Sequence, residues 1–126
     1  MTAEVDPFDL PEWLGEQRVV WRPESGIGGH HVTGELTSDG GGPLPCDLLA
    51  VDEAYPKPVA DDELRHLAHQ AWRHGQVLLV DLEGRVTLAV PGTSFTADRI
   101  LETLSRLAKA VGATPGSLAA LLRPGE

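Results

Sequence analysis

Cysteine occurs once in the 126 residues, at Cys46, so no internal disulfide can form, and a reducing compartment is compatible with the composition. Lysine is nearly as scarce, with Lys57 and Lys109 alone, and ten basic residues face nineteen acidic ones for a formal charge of -9. A surface of that sign repels a phosphate backbone and leaves no basic stripe to hold one, which argues against nucleic acid as a partner. No apolar run approaches the roughly 20 residues that cross a bilayer, so no membrane partner is expected. Met1 to Pro11 carries Glu4, Asp6 and Asp9 and no basic residue, opposite to the positive start of a secretory signal. The expected location is cytoplasmic. Chemical signatures are missing too: there is no nucleophile elbow and no paired-cysteine metal site. The run Gly26-Ile-Gly-Gly29 lacks the Lys-Ser/Thr ending of a phosphate loop and joins strand to strand, so no helix N-terminus waits to hold an anion.

What is present reads as a globular chain. A hydrophobic content of 41% with 23% charged residues fits one domain over residues 1–126, able to bury roughly two-thirds of the surface its unfolded form exposes. Residues 1–17 form a loosely packed N-terminal segment, and 114–126 form a C-terminal helix and tail. Abundant Ala, Gly, Leu and Val with little lysine suggests a GC-rich bacterial origin.

Phe8, Leu10, Trp13 and Leu14 are spaced as one apolar face of a short helix, with Asp9 to cap it and Pro11 in its first turn. Arg18 to Arg22 has strand composition and ends at Pro23. His31 to Thr37 alternates as a second strand, in which Gly34 marks a bulge or a close backbone approach. After the glycine turn Asp39 to Pro43, Cys46 to Val51 makes a third. These three form an antiparallel meander. Tyr55-Pro-Lys-Pro58 reads as an extended crossing segment. A helix capped by Asp61 or Asp62 then runs to about His74, with Leu64, Leu67, Ala68, Ala71 and Trp72 on its apolar face and Gly75 as its stop.

Val77 to Val80 is apolar on both strand faces, so this strand should be central, covered on one side by helices and on the other by a partner chain. The turn Glu83-Gly84 leads to its mate, Arg85 to Val90, whose Val86, Leu88 and Val90 share one face while Arg85, Thr87 and Ala89 look half exposed. Thr96 caps a helix with Ile100, Leu101, Leu104, Leu107, Ala108 and Val111 at helical spacing. Past Gly112, Thr114 and Pro115 repeat the start signal for a helix to about Leu122. The expected fold is α+β, an antiparallel sheet of about five strands (the meander plus a hairpin) with helices packed against it, in the order α-β-β-β-α-β-β-α-α.

That order resembles the type III secretion chaperone-like fold, including its bacterial relatives outside secretion systems. The closest segment is Val77 to Val111: an apolar strand, an acidic-Gly turn, a second strand, a proline-bearing link and an amphipathic helix. The resemblance covers most of the chain in topology. It implies a small acidic cytoplasmic homodimer that binds other proteins and has no catalytic residues to carry over. The chain departs from it in the helix after Thr114 and in the Tyr55 to Pro58 segment. A second resemblance, to a conserved actinobacterial protein family, implies no function.

Several residues have both a chemical and an ordinary structural reading. His66 and His69, three apart on a helix, could reach one metal, with His74 or the pair His30-His31 as further ligands. They lie beside Arg73 on a polar face, however, and a solvated face is the preferred reading. Cys46 sits next to Asp47, which disfavours a thiolate, so it reads as a buried strand residue. The acid pairs Asp52-Glu53 and Asp61-Asp62 border turns or caps. Trp72 is expected in the core, whereas Trp13 or Trp21 could anchor a partner. No cofactor and no metal are expected. The anticipated function is a non-enzymatic protein-binding or chaperone-like homodimer. Candidate interface residues are Val77 and Leu79 on the apolar strand, Trp21, and Leu118, Leu121 and Leu122 near the C-terminus. The alternatives are a small metal-dependent enzyme or hydrolase using His66 and His69, with Cys46 or His31, and a protein that binds a small apolar ligand.

Overall fold

The computed structural model describes residues 3–24, 27–51 and 62–122; the Tyr55 to Pro58 segment, Asp52-Glu53, Asp61 and Gly26 lie outside the described residues. The fold is α+β, built on strands β1 (Ala3–Glu4), β2 (Val19–Pro23), β3 (His31–Val32), β4 (Gly34–Ser38), β5 (Leu44–Ala50), β6 (Leu78–Leu82), β7 (Arg85–Val90) and β8 (Leu118–Ala120), with helices α1 (Trp13–Glu16), α2 (Asp62–Arg73) and α3 (Ala97–Ala110). The strands lie in the order β1-β6-β7-β5-β4-β2-β8, and β3 pairs β5.

The antiparallel meander (β2 on β4, β4 on β5) and the hairpin of β6 and β7 form as their sequences specify. Glu83 and Gly84 both hold positive φ, 55° and 81°, which matches the twist of a two-residue hairpin turn. The sheet is nevertheless mixed rather than antiparallel, because β7 joins the meander in parallel along β5, Cys46 opposite Val86 through Ala50 opposite Val90. Which strands become neighbours across a helical connection is not encoded in the alternation of either one.

The chain after Thr114 is a second correction. One 3-10 turn, Pro115–Ser117, gives way to β8, which runs parallel to β2 with Val19 opposite Leu118. Gly116 weakens a segment already too short to be helical on its own, and β2 offers an unpaired edge that satisfies the same backbone groups. The N-terminal segment also differs, since it adds β1 at the edge of β6. Asp6 rather than Asp9 caps its first turn, Pro7–Asp9, by accepting from the Phe8 N–H at 2.9 Å.

Both faces of the β5-β7-β6 part of the sheet are covered by the chain's own helices. Thr96 caps α3 through the Arg99 N–H, and Ile100, Leu104, Leu107 and Ala108 pack with Leu48, Leu79, Leu88 and Val90. Each such side chain contributes about 1.5–3 kcal/mol by leaving water. On the opposite face α2 lays Leu64, Leu67, Ala68 and Ala71 over Leu49, Leu78, Val80 and Ala89. Ala89 is buried under α2, and Thr87 is buried as well, although alternation puts both on a half-exposed face. The doubly apolar strand Val77 to Val80 owes its composition to this double cover. Trp72 is partly buried rather than central to the core: it packs against the edge of the α3-side cluster, with Arg106 at 3.3 Å and Arg99 at 4.8 Å from its ring centre.

Candidate functional site

The most concentrated polar cluster grows from an interruption in the sheet. Strands β3 and β4 are one extended run against β5, with Val32 opposite Leu48 and Glu35 opposite Pro45, but pairing lapses at Thr33 and Gly34 between them. The indole of Trp21 on β2 presses against Gly34 at this point; a Cβ on Gly34 would stand 2.6 Å from two atoms of the ring. Buried backbone groups need partners, and side chains supply them. Trp21 Nε1 donates to the Cys46 carbonyl at 2.8 Å, and the Gly34 N–H donates to Asp47 Oδ1 at 3.2 Å. Arg85 Nη2 donates to the Gly34 carbonyl at 3.0 Å.

Asp47 is 2% exposed, and its charge is compensated by Arg85, whose Nε lies 3.1 and 3.0 Å from the two carboxylate oxygens and whose Nη2 lies 2.9 Å from Oδ1. Hydrogen bonding to Asp47 raises the Arg85 pKa above its ordinary value, against a smaller opposing effect of desolvation. Glu24 stands 3.6 Å from Arg85 Nη2, and His31 Nε2 lies 3.4 Å from Asp47 Oδ2. The guanidinium thus reaches from β7 across β5 to β4 and clasps the parted strands.

A histidine beside a buried carboxylate has the form of an oriented general base, but the nucleophile that sequence offered is elsewhere. Cys46 and Asp47 are consecutive on a strand and point to opposite faces. Cys46 packs in the α3-side cluster, and burial first, then the Asp47 charge, pushes its thiol up to about 12. A protonated, enclosed thiol is not a nucleophile. Native protein should resist a disulfide reagent such as DTNB over hours and react stoichiometrically once unfolded in guanidinium. Rapid native labelling would contradict the burial.

The same shift has a sign in pH. The folded thiol holds its proton more tightly than the unfolded one, whose ordinary pKa is 9.0, so the resulting stability is present below pH 9 and lost as pH rises towards 12. The wild type should lose up to about 1.4 kcal/mol per pH unit relative to Cys46→Ala in that window. Equal alkaline loss in the two proteins would contradict the assignment.

His66 and His69 lie exposed on α2 and His74 just beyond it, while His31 sits at the clasp. Among the described residues no group of three or more His, Cys, Asp or Glu side chains is placed to hold a metal ion. Asp62 pairs with Arg65 one turn on. Of the interface candidates, Trp21, Val77, Leu79 and Leu118 are buried in the chain's own core and Leu122 is half-buried; Leu121 stands open at 55% exposure. Among the described residues no helix is long and apolar enough to cross a membrane. The sequence does not disclose the Asp47 and Arg85 pair; its one signal is an acid set inside the apolar run Cys46 to Val51. Spacing puts Phe8 on the apolar face of the first helix. Its neighbours Leu10 and Leu14 are buried, but Phe8 itself is 95% exposed.

In comparisons with known proteins, no family model, curated protein or solved structure matches this chain.

Proposed function

We propose that the chain is a non-enzymatic protein-binding module, chaperone-like in that it holds another polypeptide, and that Phe8 anchors the partner. The polar clasp supports this reading by accounting for the buried charges as strand-holding groups. The observation that carries it is Phe8, a large apolar side chain held in water by a hydrogen-bonded turn rather than by a frayed end. Beside it is a hollow of about 410 Å³ bordered by Leu10, Pro11, Gly15 and Val111. Asp6, Asp9, Glu12 and Glu16 follow through the same segment, which has no basic residue from Glu4 to Gln17. Such a surface suits a partner with an apolar pocket and a basic rim, where one desolvated aromatic supplies much of the affinity.

Phe8→Ala tests this. Affinity capture from the native host should recover a partner with the wild type and lose it at least tenfold with the variant, while the two melt alike, since an exposed substitution changes stability by about 0.5 kcal/mol or less. Identical recoveries would sink the proposal. Light scattering on both proteins decides whether the partner is a second copy: a homodimer held by Phe8 dissociates in the variant.

A further inference from the structure

A second hollow, of about 550 Å³, lies where β1 leaves the edge of β6. Its volume falls within the roughly 300–1,000 Å³ usual for ligand sites. Val5, Val77, Leu79 and Ala110 line it together with His74, Arg106 and Lys109, against the single acid Glu4. In a chain of charge -9 this is a local reversal of sign.

Register explains why the hollow exists. Val5 donates to the Leu79 carbonyl at 2.8 Å, so Leu79 turns its N–H and C=O towards β1. Two residues earlier, just ahead of β6, Val77 in an extended conformation would turn its own pair to the same edge. Continuing the pairing would bring Pro7 opposite Val77, but proline has no N–H to give, and the chain instead enters its 3-10 turn. Among the described residues Val77 makes no backbone hydrogen bond. Val77, which lines the hollow, therefore leaves one backbone donor and one acceptor unused. Lys109 stands at its border, with no carboxylate within 4 Å among the described residues. Arg106, by contrast, is engaged by Glu102 at 3.0 Å and by the Trp72 and Gln76 carbonyls.

We propose that this hollow binds the C-terminal residue of an extended peptide. The N–H of that residue donates to the Val77 carbonyl, its terminal carboxylate accepts from the Val77 N–H and the Lys109 ammonium, and a small apolar side chain packs against Val5, Leu79 and Ala110. A peptide terminus uses the donor, the acceptor and the cation together; a simple carboxylic acid would leave the Val77 carbonyl unpaired. The choice of a peptide rests on the protein-binding reading. The hollow does not include Phe8, so the two proposals fail separately.

The test uses the full chain with the probe acetyl-Ala-Ala-Val as a free acid, as its C-terminal amide, and as the acid N-methylated at valine, read by amide chemical shifts and calorimetry. The acid should shift the Val77, Leu79 and Lys109 resonances, with affinity at least about tenfold above that of the amide and of the N-methyl peptide. Lys109→Ala, an exposed change that spares the fold, should cost about tenfold for the acid and nothing for the amide. No shift at Val77 with about 10 mM acid overturns the proposal. So do equal affinities for acid and amide, or shifts confined to other parts of the chain. Phe8→Ala should bind the probe as the wild type does, whatever becomes of its capture of a larger partner.

Discussion

Asp47→Ala is expected to lower the free energy of unfolding by about 3–5 kcal/mol, because it strips the partner from a guanidinium held across the sheet and leaves the Gly34 N–H without an acceptor. On a chain of this size that corresponds to a fall in melting temperature of roughly 10 °C or more. Arg85→Ala should cost a similar amount for the complementary reason: a carboxylate only 2% exposed would lose its main counter-charge, and the Gly34 carbonyl its donor. The two changes share one network, so the double variant should lose clearly less than the sum of the single ones. Asp47→Asn, which keeps an acceptor for Gly34 but no charge, should fall between wild type and Asp47→Ala. Denaturant titrations of the wild type and these four variants check all of this. A loss below about 1 kcal/mol for Asp47→Ala would mean that water replaces the clasp.

Gly34→Ala should be nearly as damaging, at about 3 kcal/mol, although it adds a single methyl group. The new Cβ would stand 2.6 Å from Trp21 Cε2 and Cζ2 and 2.8 Å from the Arg22 carbonyl. Neither neighbour yields easily, since the indole is fully buried with its Nε1 bonded to Cys46 and the carbonyl belongs to β2. Trp21→Phe removes Cζ2, one of the two ring atoms that the methyl meets, at the cost of the hydrogen bond to Cys46. In the Trp21→Phe background the added cost of Gly34→Ala should therefore shrink by at least about 1 kcal/mol. Gly34→Ala unfolding within about 0.5 kcal/mol of wild type, or strict additivity, would refute the close-approach account.

These two residues show unequal legibility. A glycine inside an alternating strand already signals a bulge or a close approach, and Gly34 is a close approach. What approaches it was not readable, because Trp21 lies thirteen residues away on another strand and any apolar side chain could have filled the place. Asp47 gave a weaker signal. Its neighbour Cys46 attracted the chemical interpretation, while Arg85, thirty-eight residues on, becomes its partner only through the parallel register of β5 and β7. Four of the interface candidates, Trp21, Val77, Leu79 and Leu118, lie in the chain's own core for a related reason. Apolarity on both faces of a strand reports that both faces are covered, and it cannot say whether a helix of the same chain or a second molecule covers them.

The sequence by itself determined the local elements: the Glu83-Gly84 hairpin turn, the Thr96 cap, the apolar stripes of α2 and α3, and the glycine stop at Gly75, each written within a few residues where backbone sterics and helical or strand periodicity act. Tertiary structure alone decided the rest. It set β7 beside β5 in parallel, turned the C-terminal segment into β8 because β2 had an open edge, drew Arg85 onto Asp47, and left Phe8 in water while its neighbours were buried. Each of these depends on which distant backbone groups and surfaces remain unsatisfied once the local elements exist, and only the assembled chain fixes that.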